Sequence, residues 1–403
     1  MRAAFPMPWR VVLPAVILAA GVAAVPVSAA SPGTLDGDIA YVVGDQGDTQ
    51  VMVVPATGGT PREVWSGTWA AGLAWSPLDH ALAFTEARAG GSGVELASHL
   101  VDATGTDHVL ATGGVGPVGW IEPGLVVTET VDGGLAMRVV DATGATVRDL
   151  DLPVGMSIDH ARSSPDGSHL AVTLSTSGSD ETPTLSLYDA PDWHRRDLPV
   201  PATGIAWSPD ATTLAVTTDT TVAIVDAGTG AVRDVGAFAA EDRPDFLRWS
   251  GDGLRLVIAV RHGQDVDGES SLLSIPASGA GLDFSTPAGD VVELSRVKGS
   301  VLGFADGPAD GPLAWSSLST AMDDPKVDSW TTGIIGRDGR TVDTIVAGEG
   351  VAVPLGWDAT GTSLLVTDSV GLEILDPATD AVTPLVIEPI RPIGVASWWR
   401  GWP

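Results

Sequence analysis

The sequence predicts an all-β fold, a β-propeller of four-stranded antiparallel blades, and three observations lead to this prediction. A short motif, best seen as AWSPD at Ala206–Asp210, returns along the chain at intervals of roughly 41 to 55 residues. Short runs of alternating hydrophobicity follow each copy, and turns rich in Gly, Asp and Thr separate these runs. The two ends of the chain carry complementary parts of one such unit.

The first observation is the motif itself, which an aromatic residue marks in most copies. The marker positions are Trp75, Trp120, Ser163, Trp207, Trp249, Phe304, Trp357 and Trp398. A small residue usually precedes the marker, and successive residues of a strand point to opposite faces of the sheet. Since a large side chain on one blade needs a small one on the facing blade, we interpret the aromatic markers as inter-blade packing residues rather than sugar-binding platforms.

The second observation is the order of strands and turns within a unit. From Gly204 onward, GIAW, TLAVT, VAIVD and VRDV alternate as short strands do. The turns between them are SPDA and AGTG, in which Pro fixes φ, Asp caps the turn and Gly takes a positive φ. The marker count predicts eight blades. Seven is the alternative, because the interval from Trp249 to Trp357 is irregular.

The third observation concerns the ends of the repeat array. The first unit, from Asp38, lacks an opening marker strand, whereas the last motif, GVASWW at Gly394–Trp399, has an opening strand and nothing after it. We therefore expect the C-terminal strand to complete the first blade. That pairing closes the ring and removes the free sheet edges.

The motifs resemble those of the TolB-like members of the WD-repeat-like propeller superfamily. The resemblance rests on AWSP at Ala74–Pro77, AWSPD at Ala206–Asp210, SSPDGSHLAV at Ser163–Val172 and QVMVVPATGGTPREV at Gln50–Val64. It implies a propeller over nearly the whole chain after residue 37. It implies little about function, because one fold supports many functions.

The N-terminal segment predicts export. Arg2 and Arg10 precede an apolar run of signal-peptide length, and small residues follow it. We expect cleavage near Ala29 or Ala30, so that residues 1–30 are a signal peptide, 31–37 a short linker and 38–403 one propeller domain. The expected location is secreted or extracytoplasmic, with no transmembrane span after cleavage.

Composition limits the classes of partner. The chain has 21 basic and 51 acidic residues, a formal net charge of −30, and no cysteine. Nucleic acids and anionic membranes both require positive charge, so neither is an expected partner. The lack of cysteine excludes thiol chemistry and cysteine-ligated metals. We expect a monomer whose partner is a protein or peptide.

No catalytic set stands out in the sequence. A G-x-S-x-G elbow is absent, and the seven histidines have no spacing typical of a metal pair, so we interpret them as scattered turn or surface residues. The predicted function is an exported, non-catalytic scaffold that binds a protein or peptide. The alternative is a carbohydrate-active or quinone- or metal-dependent propeller enzyme with an unrecognised site.

No cofactor is predicted, and one loop is a weak candidate for calcium. Asp265, Asp267 and Glu269 alternate in DVDGES, as oxygen ligands do in calcium loops. The loop lacks the glycine offset and the distal Glu of the helix-flanked calcium site. A solvated acidic loop is the simpler interpretation.

The best binding candidates interrupt the repeat. Arg162 and Arg248 occupy the position before the marker that is small elsewhere, and Asp159 and His160 precede Arg162. Inner strands of a propeller line its channel, where polar side chains can contact a ligand. Two arginines could hold a carboxylate or an acidic peptide end. The alternative is that they pair internally with nearby acids.

The tail SWWRGWP has two tryptophans beyond the repeat, Trp399 and Trp402. Clustered exposed aromatic residues can mark an interface. The alternative is a tail folded over the base of the closing blade.

Overall fold

The computed structural model describes residues 37–45, 47–77, 79–90, 93–114, 116–176, 182–263, 268–285, 289–305, 311–320, 328–348, 353–358, 360–367, 371–387 and 392–398. The secondary structure of this described part consists of strands and turns. The predicted signal peptide and the tail residues Trp399 and Trp402 lie outside it.

The strands have the following bounds in chain order. The first quarter contains β1 (Asp38–Asp45), β2 (Asp48–Pro55), β3 (Arg62–Gly67), β4 (Ala70–Trp75), β5 (Leu82–Gly90), β6 (Gly93–Val101) and β7 (Asp107–Thr112). Next come β8 (Pro117–Ile121), β9 (Gly124–Val131), β10 (Gly134–Val140), β11 (Thr146–Leu150), β12 (Met156–Ser163), β13 (His169–Thr176), β14 (Thr184–Asp189) and β15 (His194–Pro201). The third group is β16 (Gly204–Trp207), β17 (Thr213–Thr217), β18 (Thr221–Asp226), β19 (Val232–Ala237), β20 (Arg243–Trp249), β21 (Arg255–Arg261), β22 (Glu269–Pro276), β23 (Leu282–Asp283) and β24 (Val292–Lys298). The last is β25 (Ser300–Ala305), β26 (Leu313–Thr320), β27 (Asp328–Ile335), β28 (Val342–Gly348), β29 (Val353–Trp357), β30 (Leu364–Thr367), β31 (Gly371–Asp376), β32 (Ala381–Ile387) and β33 (Pro392–Trp398).

These strands form eight sheets, antiparallel except for the short β19–β23 pair, so the prediction of eight blades is confirmed and the alternative of seven is wrong. Blade 1 is β3-β2-β1-β33, and blades 2, 3 and 4 are β4 to β7, β8 to β11 and β12 to β15. Blade 5 is β16 to β19 with β23 added, blade 6 is β20-β21-β22-β24, and blades 7 and 8 are β25 to β28 and β29 to β32. The irregular interval from Trp249 to Trp357 contains two blades, lengthened by the segment that carries β23.

The ring closes as the chain ends predict. β33 pairs antiparallel with β1, with Trp398 opposite Ile39 and Ala396 opposite Tyr41. Blade 1 thus combines the two ends of the described chain. A blade built this way ties the last element to the first and so closes the ring.

One register repeats around the ring. The marker pairs with an aliphatic residue of the neighbouring strand in seven blades: Trp75–Leu82, Trp120–Leu125, Ser163–Leu170, Trp207–Leu214, Trp249–Leu256, Trp357–Leu364 and Trp398–Ile39. In blade 7, Phe304 is opposite Trp315 instead. The marker is therefore structurally equivalent in every blade, including the one where serine replaces the aromatic residue.

The hydrophobic core is divided among the blade interfaces. Eight buried clusters occur among the described residues, and each combines side chains of two neighbouring blades. Trp207, for example, packs with Leu187 of blade 4 and Val225 of its own blade 5. Burying a large apolar side chain contributes about 1.5–3 kcal/mol, so the ring is held together by apolar contacts between blades.

Two kinds of hydrogen bond also join successive blades. Near the axis, a marker indole donates to the carbonyl before the preceding marker: Trp120 Nε1 to Ala74 at 3.3 Å, Trp207 Nε1 to Arg162 at 2.9 Å and Trp249 Nε1 to Ala206 at 2.9 Å. At the periphery, arginines of the outer strands donate to carbonyls in the next blade's turn: Arg148 to Asp192, Arg196 to Gly228 and Arg233 to Gly279. The indole therefore has a polar as well as a packing role.

The turn after the marker has the chemistry that its sequence predicts. In blade 5, the Ser208 hydroxyl donates to Asp210 at 2.7 Å and accepts from the Thr213 amide at 3.0 Å. The hydrogen bond from Ser208 is the main reason that the pKa of Asp210 lies below its usual range. Gly167 and Gly253 take a positive φ of 69° in this turn, and Ala211 takes 59° in the same place.

Candidate functional site

The first strands of the blades form the inner ring. β8, β12, β16 and β20 pack against one another in sequence, and so do β25, β29, β33 and β4. These strands begin at one face of the ring, which we call the entry face. Their exposed side chains therefore border the central channel rather than the outer surface.

The inner strand of blade 4 is unusually polar and exposed. Asp159, His160 and Arg162 of β12 are all exposed, whereas Ile205, Ala206 and Trp207 at the corresponding part of β16 are buried. The adjacent blades bury most of the inner strand in each blade of a propeller. The exposure of these three residues therefore identifies a stretch of channel wall that water reaches. Three of the four sequence-predicted binding residues lie here, on one strand.

The fourth predicted residue, Arg248, occupies the equivalent place two blades away. Arg162 pairs with Ala171 and Arg248 pairs with Val257, one residue before the marker in each case. Each inner strand also has a bulge three residues earlier, and the unpaired residue is Asp159 in blade 4 and Asp245 in blade 6. The structure therefore aligns two copies of one D-x-x-R pattern.

Asp245 was not among the residues predicted from the sequence. Its signal was present, since IDHARS and PDFLRW share Asp and Arg at the same spacing. Only the shared bulge shows that the spacing is structurally equivalent, because a bulge changes which residue faces which side.

Blade 5 separates the two polar strands with small residues. Its inner strand contains Gly204 and Ala206 at the positions that flank Ile205, and β16 contacts both β12 and β20. Arg162 and Arg248 therefore lie on the two inner strands that flank blade 5.

The two arginines contact the backbone of their own strands. Arg162 Nη1 donates to the Ala161 carbonyl at 3.1 Å, and Arg248 Nη1 donates to the Leu247 carbonyl at 2.8 Å. The same type of contact thus orients both guanidinium groups. Arg162 is exposed and Arg248 is half-buried.

The electrostatic environment differs between the two strands. Burial is the main cause that lowers the pKa of His160, the positive charge of Arg162 lowers it further, and Asp159 opposes both. His160 is nevertheless exposed, a combination expected for a side chain surrounded by protein but open to a water-filled channel. In blade 6, burial raises the pKa of Asp245, and Arg261, at 3.2 Å, counteracts it.

A groove on the entry face leads to the polar strand of blade 4. It has a volume of about 390 Å³ and lies over blade 3. Its lining residues are Gly113, Gly114, Asp132, Gly133, Gly134, Leu135, Val154, Gly155, Met156, Ser157 and Ile158. Ile158 immediately precedes Asp159, so the groove adjoins the start of the polar channel wall.

The calcium candidate is only partly described. Asp265 and Asp267 lie outside the described residues, and Glu269 accepts a hydrogen bond from Arg296 at 3.1 Å. Within the described part of the chain, no group of three or more His, Asp or Glu side chains is arranged to hold a metal ion. Of those same residues, none belongs to a helix long and apolar enough to cross a membrane.

Blade 6 contains a hydrogen-bonded chain that resembles a hydrolase triad in geometry. Asp242 contacts Nδ1 of His262 at 3.0 Å, and Nε2 of His262 contacts the Ser271 hydroxyl at 2.9 Å. Ser271 is fully buried, and its hydroxyl donates to Glu293 at 2.9 Å. A substrate cannot reach this hydroxyl, so the arrangement is a structural network rather than a nucleophile.

A second histidine centre lies in blade 2, and here the interpretation of all histidines as turn or surface residues is wrong. His99 is only 3% exposed. Its Nδ1 lies 3.0 Å from Asp107 and its Nε2 lies 3.1 Å from Glu86. The ring stacks on Phe84 at 5.0 Å and meets Trp65 of blade 1 edge-on at 5.5 Å. No local sequence pattern connects these residues.

Known proteins match this chain in structure but not in sequence. No protein-family model and no curated protein sequence matches the chain. Porphyromonas gingivalis dipeptidyl peptidase 4 matches with a TM-score of 0.54 at 12% identity, over 87% of this chain and 59% of that one. A eukaryotic initiation factor matches with a TM-score of 0.51 at 12% identity, over 91% of this chain and 99% of that one.

TolB from Acinetobacter baumannii is also among the structures that match. Its TM-score is 0.37 at 22% identity, and the match covers 62% of this chain and 63% of TolB. This chain therefore spans less than two thirds of the length of TolB and of the peptidase. At such identities the likeness concerns the fold alone, and the fold is the β-propeller.

Proposed function

We propose that this protein is an exported, non-catalytic binding propeller that holds the carboxylate of a peptide or of an acidic protein segment in its channel. The observation that carries the proposal is the equivalent placement of Arg162 and Arg248 on two inner strands, at a position where other blades have small residues. A guanidinium presents its N–H donors in a planar fork that fits a carboxylate.

The strongly negative net charge of the protein gives the two channel arginines particular weight as an anion-binding site. The chain carries a formal charge of −30, so its surface repels anions in general. Salt screens such repulsion beyond about 8 Å at physiological ionic strength. Two arginines on the same stretch of channel wall supply local positive charge, and an anion that enters the channel is held there by short-range contacts.

The proposal includes a location outside the cytoplasm. It rests on the predicted signal peptide of residues 1–30, with its charged start and apolar run. The ligand is then a protein or peptide of the cell envelope or the medium. Such a partner can be identified by a pull-down from envelope extracts and medium with the exported chain as bait. Mass spectrometry then identifies the retained proteins.

The direct test is selection from a peptide library. A library of random decapeptides with free C-terminal carboxylates is passed over the immobilised, exported chain at 0.15 M NaCl, in parallel with the same library amidated. We expect at least about tenfold greater retention of the free-carboxylate library, which corresponds to about 1.4 kcal/mol. Retention of both libraries to the same extent contradicts the proposal.

Variants identify the site within the same experiment. Arg162→Ala and Arg248→Ala should each reduce retention by about tenfold. Arg162→Ala should leave the free energy of unfolding nearly unchanged, because the main-chain carbonyl that accepts from Trp207 remains. The matched control is Arg296→Ala, which removes an arginine that pairs with Glu293 and Glu269 in the outer strand of blade 6. Equal effects in all three variants would indicate a general charge effect instead of a channel site.

A further inference from the structure

We infer that the channel selects a particular peptide ending: a basic residue, two residues of any type, and then the C-terminal residue with its carboxylate. The inference rests on the proposed function and adds a second subsite to it. Arg162 and Arg248 hold the carboxylate, and Asp159 binds the basic side chain.

The spacing of the ending follows from the geometry of the inner strand. Asp159 lies three residues before Arg162 in β12, and Asp245 lies three residues before Arg248 in β20. A strand rises about 3.3 Å per residue, and the bulge at each aspartate shortens the rise, so the acidic and basic side chains start at most about 10 Å apart along the channel. An extended peptide beside the strand has the same rise, so three of its residues span this distance.

The direction of the ligand follows from the direction of the strands. β12 and β20 begin at the entry face, so the aspartates lie nearer that face and the arginines lie deeper in the channel. A peptide that enters from this face with its C-terminus leading brings its carboxylate to the arginines. Its basic residue then stops at the level of the aspartates.

The two aspartates are not equivalent in charge. Asp245 is exposed like Asp159, but it forms an ion pair with Arg261 at 3.2 Å. Asp159 is exposed and forms no ion pair with another residue of the described part of the chain. An incoming ammonium or guanidinium group therefore finds an open carboxylate in blade 4 and an already compensated one in blade 6.

The groove over blade 3 gives the rest of the peptide a path away from the channel. It ends at Ile158, next to Asp159, and its wall includes Val154, which is 98% exposed. Gly113, Gly133 and Gly155 leave the backbone of the wall accessible. Residues that precede the basic one can lie here in an extended conformation, with small or apolar side chains against the glycines and Val154.

The test is positional selection from the free-carboxylate library. An acidic protein attracts basic peptides anywhere on its surface, and this background enriches Lys and Arg equally at every library position. A subsite enriches them at one position only. With the wild-type chain at 0.15 M NaCl, we expect at least about fivefold enrichment of Lys and Arg at the fourth residue from the C-terminus, relative to other positions.

Two matched variants locate the subsite. Asp159→Asn should abolish the positional enrichment, whereas Asp245→Asn should retain it, because Arg261 already compensates that carboxylate. Both variants remove one acid from an inner-strand bulge, so they change net charge equally. Circular dichroism and a thermal melt check that each variant is folded.

The outcomes separate this inference from the proposed function. Uniform enrichment, or enrichment that survives Asp159→Asn, overturns the inference. If the free-carboxylate library is still preferred over the amidated one in that case, the proposed function stands without its second subsite. If free and amidated libraries are retained equally, both proposals fail.

Discussion

Two histidines in this ring experience opposite environments, His99 in the interface between blades 1 and 2 and His160 in the channel wall of blade 4. Burial acts to lower the pKa of His99, but its hydrogen bonds to Asp107 and Glu86 outweigh burial and raise it. For His160, burial and Arg162 lower the pKa, and Asp159 compensates only in part. The surroundings thus favour the cation of this side chain in one place and the neutral ring in the other.

The difference teaches how a propeller separates stability from binding. Both nitrogens of His99 face carboxylates, and both contacts are hydrogen bonds only when the ring carries two N–H groups. That cation is sealed by Phe84 and Trp65, so it stabilises a blade interface. His160 is exposed, and it lies between the negative charge of Asp159 and the positive charge of Arg162. A ligand in the channel can therefore approach it.

The largest expected effect tests whether His99 is structural and His160 is not. His99→Gln should lower the free energy of unfolding by about 3 kcal/mol, because Glu86, whose side chain is only 12% exposed, loses its cationic partner. His160→Gln should change it by no more than about 0.5 kcal/mol, as expected for an exposed residue. Urea denaturation at pH 6 measures both values. A comparable loss of stability in the two variants would contradict the assignment of a structural role to His99 alone.

The pH dependence should have opposite signs at the two sites. The raised pKa of His99 means that its stabilising contribution is fully present below the unfolded value of 6.5 and is lost as pH rises through the folded pKa. The lowered pKa of His160 means that the folded state resists protonation, so stability is lost as pH falls below 6.5 through the folded pKa.

Denaturation series from pH 5 to pH 9 check these signs. The stability difference between the wild type and His99→Gln should shrink as pH rises above neutrality. The wild type should lose stability relative to His160→Gln as pH falls toward 5. The many surface acids contribute equally to the wild type and to each variant. Subtracting the stability of the variant from that of the wild type therefore cancels their contribution. Parallel pH profiles for the two pairs would contradict the assignment of opposite shifts.

The smallest expected effect concerns the backbone next to the channel site. Ala211 takes a φ of 59° in the marker turn of blade 5, where blades 4 and 6 have glycine at 69°. A left-handed conformation costs an L-residue about 1–2 kcal/mol, and the extra freedom of glycine in the unfolded chain offsets about 0.4–1 kcal/mol of this, so Ala211→Gly should stabilise the protein by at most about 1 kcal/mol. Ala215→Gly, in the adjacent strand β17, should do the opposite, since glycine weakens a strand. Equal signs would indicate that φ at residue 211 carries no strain.

Much of the fold followed from local sequence because its signals are local. The marker spacing predicts the blade count, and the complementary chain ends predict the pairing of β33 with β1. The Ser–Asp turn forms the hydrogen bonds that its residue types favour. The sequence did not predict β23, two residues of the blade 6 segment that pair with β19 of blade 5, because nothing local specifies so short a strand.

The candidate site was predictable in part for the same reason. Arg162 and Arg248 stood out because they interrupt a repeat, and the repeat itself locates them on inner strands. Asp245 did not stand out, since its role depends on a bulge that adds one unpaired residue to β20. His99 could not be found at all, because its partners Glu86 and Asp107 belong to the two neighbouring strands.

The sequence by itself determined the propeller fold, the closure of the ring and the chemistry of the turns, because these depend on spacing and on residues close together in the chain. It favoured eight blades but left seven open, and the tertiary structure decided that count. The tertiary structure decided which side chains meet across strands and blades. It aligned Asp159 with Asp245, enclosed His99 between two carboxylates, and connected Arg196 to the Gly228 turn. Register, bulges and blade packing set these contacts, and they arise only when the whole ring forms.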